Sequence, residues 1–329
     1  MYRMKIAIVR LSALGDIFQS MIVLQFIKMK FPNAQVDWIV DESFQDAVKD
    51  NPHINEIIPI PIKKIKKTKS LRGLFQAIKK LRQLALYDYV FDLQGLIKSS
   101  LVARLIPSKN RIGFDKNSIR EKLASFFYTK KYFFPYHKNV IKRYCYLLNQ
   151  TLELDIDDDH ILHKESFFNI KKTTKKDRLI VLVLGASFES KIYPMEKYLS
   201  IAKGVDANFI AIWKSDSEKI MAEELAKKSE NIIVSENLSL SELKKLISTA
   251  SLVIGGDTGP THLAWAMNIP SVTLFGCTPM ERNCYQTNQN FAMKGSSKVD
   301  PYKIDRNDFS INEIDPDEII ELIKERIKL

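Results

Sequence analysis

Apolar runs of strand length alternate with amphipathic runs of helix length from the first residues onward, the pattern of a parallel sheet covered by helices. Strands are predicted at residues 5–11, 35–40, 56–60, 87–93 and 111–114, with helices between them. From residue 153 to 178 the chain reads ELDIDDDHILHKESFFNIKKTTKKDR, charge runs with little periodicity that mark a domain linker. A second alternation then places strands at 178–185, 207–213, 231–236, 251–256 and 270–276. Near the end, IDPDEIIELIKERI offers Asp315 as an N-cap, Pro316 in the first turn and an apolar face of Ile319, Leu322, Ile323 and Ile327. The predicted class is α/β: two Rossmann-like doubly wound domains, residues 1–165 and 175–310, whose strand ends face a shared cleft. The segment 311–329 needs a surface to pack on, and the first domain is one candidate.

At 329 residues and 45% hydrophobic side chains, the chain can build two ordinary cores. No apolar stretch reaches bilayer length, and MYRMKIAIVRL runs straight into a strand without a cleavage site. Neither a membrane span nor a signal peptide is expected. Cys145, Cys277 and Cys284 are scattered without CxxC spacing, which suits a reducing compartment, so a cytoplasmic location is expected. The net charge of +11 becomes informative once located. Residues 1–168 carry 28 Lys and Arg against 17 Asp and Glu, whereas residues 169–329 carry 22 against 22. The first half therefore suits an anionic partner: nucleic acid, a phosphorylated small molecule or an anionic membrane surface. Basic runs such as KKIKKTK hold few interleaved aromatics, which counts against nucleic acid.

In open α/β sheets ligands bind just beyond the strand ends. After the first strand, RLSALGDIFQS opens a helix with Gly15 and Asp16. Asp16 either caps that helix or, as the only acid near the strand end, accepts a proton from a substrate hydroxyl. Neither GxGxxG nor GxxxxGK[ST] occurs, so a dinucleotide-binding dehydrogenase and a P-loop nucleotidase are disfavoured. His53, His137, His160 and His163 lack metal-ligand spacing, and no metal is predicted. In the second half, LGASFESKIYP offers Ser187 and Lys191, the lysine suited to a phosphate or to plain solvent, and IWKSDSEK places Glu218 where acids often meet ribose hydroxyls. In GGDTGPTHLAWAM the glycines let backbone approach a ligand, and Asp257, Thr258 and Gly259 are expected to leave N–H groups open at a helix start. Such a start favours phosphate by roughly 0.3–1 kcal/mol when exposed and up to ~2 kcal/mol when partly buried. Asp257 is expected to cap backbone donors there and to orient hydroxyls or amides around the site.

In this order, RLSALGD, DLQGLIKS, SIREKLASFFY and GGDTGPTHLAWAMNIPSVTLFG resemble the lipopolysaccharide heptosyltransferases of glycosyltransferase family 9, from residue 5 to about residue 279. DLQGLIKS is similar to the members that add the first heptose to the Kdo of the inner core; a relative acting on a later core or glycan acceptor is the alternative. The resemblance implies a GT-B fold with ADP-L-glycero-β-D-manno-heptose in the second domain and Kdo-lipid A at the basic first one. It implies Asp16 as general base for an inverting displacement, with Ser187, Lys191, Thr258 and Gly259 on the diphosphate. Glu218 would bind the ribose, Asp257 would position the heptose and His262 would line the nucleotide site. On the acceptor side it implies Lys98 and Arg120, with Lys64 a helper from the basic run. ADP-heptose is then a substrate, no cofactor is tightly bound, nucleic acid is no partner, and a monomer associates peripherally with the cytoplasmic face of the inner membrane. Two departures stand out. ASFESK has Ala186 and Ser187 where relatives more often carry Thr, and Pro260 replaces a commonly apolar residue, stiffening a first turn that tolerates proline.

Overall fold

The structure, a computed structural model, describes residues 3–170 and 178–328. It divides into two compact units, Met1–Asn169 and Ile170–Leu329. The first unit holds six strands: β1 (Lys5–Val9), β2 (Gln35–Asp41), β3 (Glu56–Ile60), β4 (Tyr87–Asp92), β5 (Ser108–Phe114) and β6 (Lys130–Tyr132). The second repeats the plan with β7 (Leu179–Val183), β8 (Asn208–Ile212), β9 (Ile232–Val234), β10 (Leu252–Gly256), β11 (Ser271–Phe275) and β12 (Asn290–Lys294). Both sheets are parallel, ordered β3-β2-β1-β4-β5-β6 and β12-β11-β10-β7-β8-β9. Each is the doubly wound 3-2-1-4-5-6 order, whose direction of winding reverses beside the first strand. The switch points therefore lie between β1 and β4, and between β7 and β10.

The sequence explains the central strands. LIVLV in β7, LVIGG in β10 and SVTLF in β11 are buried at every position, as strands covered on both faces must be. The sixth strand of each sheet escapes the pattern. KKY in β6 and NFAMK in β12 are short edge strands with exposed or half-exposed positions, so no apolar run announces them. The first half of the expected linker also folds. Asp157 caps helix Asp158–Leu162 by accepting from the His160 amide at 2.9 Å. Phe167 and Phe168 are buried, Phe168 edge-on to Phe18. Residues 171–177 of that linker lie outside the described residues. Helix Pro316–Leu322 forms as expected, capped by Asp315, but its partner lies in the second unit. Ile319 and Ile323 are buried in the same cluster as Ile201 and Ala202 of helix Met195–Gly204. None of the described helices is long and apolar enough to cross a membrane.

Candidate functional site

At the switch point of the second sheet, the turn after β10 meets the loop after β7. Gly256 permits the approach: a Cβ there would lie 2.6 Å from the Lys191 carbonyl oxygen, closer than side-chain carbons come. Lys191 and Asp257 are thereby brought together, Nζ 3.5 Å from Oδ2, both largely buried. His262 Nε2 lies 2.7 Å from Asp257 Oδ1, and Asn283 Nδ2 donates to Oδ2 at 3.0 Å. Burial alone would raise the Asp257 carboxyl, but the Lys191 ammonium and the hydrogen bonds from His262 and Asn283 outweigh it and hold the carboxyl far below its usual range. The site thus keeps a buried carboxylate charged beside a buried ammonium.

The helix that follows, Gly259–Ala266, starts two residues ahead of the text THLAWAM that announces it, with Thr258 as N-cap. Two expectations change here. The Thr258 amide is not open but donates to Thr261 Oγ1 at 3.4 Å. Asp257 binds side chains rather than capping backbone donors, because His262, one turn along the helix, and Asn283 are closer partners for its oxygens. What remains open is the Thr258 hydroxyl, buried and without a hydrogen-bond partner, and the first-turn amides that a helix start cannot satisfy internally. Ser187 is exposed on the β7 loop, next to Phe188, whose ring faces both Lys191 and Arg306. Glu218 stands in the first turn of helix Asp216–Lys228, where its Oε2 accepts from the Lys214 and Ser215 amides at 2.7 and 3.4 Å. Its carboxyl packs on Gly185, where any Cβ would collide with it, which holds the acid against the end of β7.

At the first sheet's switch point the same logic brings together the ends of β1 and β4. Asp16, in the first turn of helix Leu14–Ser20, receives Arg10 Nη2 at 2.8 Å on Oδ2 while 38% of its side chain stays exposed. The Ala13 amide adds a long contact of 3.4 Å to the same oxygen, so the acid both caps the helix and reaches solvent. Arg10 is buried, donates Nη1 to the Leu93 carbonyl at 2.7 Å, and lies over the Tyr144 ring. Ser12 Oγ accepts from Lys98 Nζ at 2.9 Å and from Gln94 Nε2 at 3.3 Å, and Gln94 Oε1 accepts from the Leu11 amide. Partial burial, with Arg10 and Lys63 nearby, draws Lys98 below the usual lysine range, although Asp41 and Glu121 oppose it. Under this loop Asp92 is fully buried and accepts from Tyr128, Ser99 and the Gln94 and Gly95 amides. Burial outweighs those four bonds and keeps its carboxyl above the usual range. Arg120 is exposed and adjoins Glu121, whose Oε2 accepts from the Ile97 amide at the start of Lys98's helix, Ile97–Leu105. Lys64 is exposed on helix Ile62–Thr68, beside Lys63, which is close enough to Lys98 to affect it.

Sequence reasoning missed Arg10, Ser12, Asp92, Gln94 and Asn283. Arg10 and Asp92 carried a usable signal, a charge at the end of an otherwise apolar strand. Asn283 carried none, since its partner is distant in the chain.

Each unit is thus a Rossmann-like domain with polar groups gathered at its switch point, which is the build of a GT-B glycosyltransferase. The sequence profile of glycosyltransferase family 9 (heptosyltransferase) matches residues 74–300. Lipopolysaccharide heptosyltransferase 1 of Campylobacter coli is 39% identical over 343 aligned positions that span 98% of each chain. Two solved structures share the fold: E. coli heptosyltransferase WaaC with ADP, TM-score 0.82 at 21% identity, covers 98% of this chain and 100% of its own. The same enzyme with ADP-2-deoxy-2-fluoro heptose gives a TM-score of 0.80 at 22% identity, with 98% and 99% covered. The chain belongs to glycosyltransferase family 9, the heptosyltransferase family.

Proposed function

We propose that this enzyme moves L-glycero-D-manno-heptose from ADP-heptose to the Kdo of Kdo-lipid A, with inversion, as the first heptose of the inner core. The observation that carries the reading is the near end-to-end likeness to a lipopolysaccharide heptosyltransferase 1. The WaaC structures with ADP and with a fluorinated ADP-heptose support the donor. In the reaction the Kdo hydroxyl oxygen bonds to the heptose anomeric carbon as the bond from that carbon to the diphosphate breaks. Asp16 takes the hydroxyl proton, and ADP leaves. Lys191, Ser187, the Thr258 hydroxyl and the Gly259 amide meet the charge that grows on the diphosphate, the electrostatic stabilisation that dominates many such reactions. His262 and Asn283 fix Asp257, which positions the heptose, and His262 lines the nucleotide site. Glu218 offers its remaining acceptor capacity to the ribose. Lys98, Arg120 and Lys64 meet the Kdo carboxylate and lipid phosphates as charge-assisted donors. The enzyme acts as a monomer, without a tightly bound cofactor or nucleic acid, at the cytoplasmic face of the inner membrane.

Mass spectrometry of lipid recovered from enzyme, ADP-heptose and Kdo-lipid A tests the reaction: one added heptose is expected, and transfer only to an already heptosylated core would overturn the acceptor. Asp16→Ala should leave ADP affinity nearly intact while lowering turnover about 10²- to 10⁴-fold, the span of a general base. Near-normal turnover would reject that role.

A further inference from the structure

Three neighbouring elements of the first unit turn apolar side chains to solvent. Helix Leu71–Arg82 exposes Leu71 (81%), Leu74 and Phe75 (69%). Helix Ile97–Leu105, in contact with it, exposes Ile97 and Leu101, and the turn Lys122–Phe127, packed on that second helix, exposes Leu123 and Phe126 (79%). Each set is spaced three or four residues apart, so each forms a stripe along its element. In the first helix the reason is visible. Ala77 and Leu81 are buried in the sheet's core, yet the apolar arc, at about 100° per residue, is roughly 160° wide. The core covers one edge of it and leaves Leu71 and Phe75 on the other.

Cations border this uncovered edge. Arg72, Lys79 and Arg82 flank it on the same helix, and Lys63, Lys64, Lys66, Lys67 and Lys69 precede it, all exposed on or next to helix Ile62–Thr68. Arg120 and Lys122 stand beside the turn. Glu121 is the one acid within residues 62–82, 97–105 and 120–127, and its carboxylate is engaged by the Ile97 amide. A polyanion alone would satisfy these charges but leave seven apolar side chains in water. An interfacial bilayer surface satisfies both, because long basic side chains keep their charge at the headgroups while their stems and the apolar residues sink below.

We propose that this face seats the enzyme on an anionic bilayer, with Leu71, Phe75 and Phe126 entering the headgroup boundary and the lysines meeting lipid phosphates. The proposal rests on the peripheral association inferred above and names the surface responsible. The test is sedimentation of the full chain with vesicles of phosphatidylethanolamine and phosphatidylglycerol, against phosphatidylcholine alone. Leu71→Gln with Phe75→Gln, and separately Lys66→Gln with Lys67→Gln, should each weaken binding to the anionic vesicles about tenfold or more, since each cation near such a surface counts for about fivefold. Both should keep wild-type turnover on detergent-dispersed acceptor, and circular dichroism should match wild type because the residues are exposed. Phe75→Trp should shift its emission to the blue on anionic vesicles only. Wild-type binding by both double variants, or no shift for Phe75→Trp while the protein still sediments, would overturn this face alone. Failure of the wild-type chain to sediment with any vesicle would instead overturn the peripheral association itself.

Discussion

Asp257 is a buried carboxylate that stays charged through its neighbours, so the loss of either side of the ion pair is felt directly. Removing one member of a buried ion pair strands the other, at a cost of about 3–5 kcal/mol. Asp257→Ala should therefore destabilise the protein by about that much in urea denaturation and weaken ADP binding, because Lys191 loses the partner that holds it. Asp257→Asn should cost less, since an amide can still accept from Asn283. The pH dependence has a definite sign. The carboxyl lies lower in the folded chain than in the unfolded one, so its stabilisation is fully present above the unfolded value near pH 4 and is lost as pH falls below it. Denaturation midpoints measured downward from pH 6 should drop in the wild type more steeply below about pH 4 than in Asp257→Asn. Equal slopes would mean that the network does not hold the charge. Sequence alone could not supply this argument. Asp257 and His262 are five residues apart and readable as one motif, but Lys191 and Asn283 reach the same carboxylate because β10 lies between β7, which Lys191 follows, and β11, which Asn283 follows.

Strands and helices set those neighbours, and here the chain's pattern was more transparent. Ten of the twelve strands were legible as apolar runs, the central ones because strands covered on both faces must be apolar throughout. The two that were not, β6 and β12, are edges; β3 and β9 are edges too, but EIIPI and IIV keep a run of apolar β-branched residues that KKY and NFAMK lack. The helix caps at Asp157, Ser215 and Asp315 follow the expected chemistry of small oxygen-bearing side chains. At the strand ends, the glycines of GGD were expected to bring backbone close to a ligand, whereas the structure packs them on protein, Gly255 against Val183. Gly256 meets the Lys191 carbonyl, protein backbone rather than ligand. Gly256→Ala would force a Cβ to within 2.6 Å of that oxygen. A backbone group cannot swing aside, so the loop after β7 must move. The expected result is a loss of about 1–3 kcal/mol, as for overpacked sites, together with a raised KM for ADP-heptose and a smaller change in KM for acceptor. A variant with unchanged donor KM would show that the β7 loop does not depend on this contact.

For the whole molecule the division of charge is the feature that sequence gave earliest, and the structure turns it into a difference in how charge is presented. The boundary between units falls at residue 169, an uncharged Asn, so the first unit carries the entire +11 excess. Its cations stand mainly on exposed segments, the 63–69 run above all. In the second unit the cation assigned to the donor is instead largely buried, with Lys191 locked to Asp257. Salt distinguishes the two presentations. Raising ionic strength from about 0.1 M to about 1 M shortens the screening length from about 10 Å to about 3 Å, which suppresses interactions between exposed charges far more than between buried ones. ADP affinity, measured by calorimetry, should therefore fall by less than about threefold over that range if the donor site is the one proposed, because Lys191 is largely buried and so shielded from ions. KM for detergent-dispersed Kdo-lipid A should rise by about tenfold or more if, as proposed, its phosphates and carboxylates meet the exposed lysines and arginines of the first unit, which water and salt already reach. Lys64→Gln should flatten the acceptor's salt dependence while leaving that of ADP unchanged. If ADP and acceptor responded to salt alike, the assignment of donor to the neutral unit and acceptor to the basic one would fail.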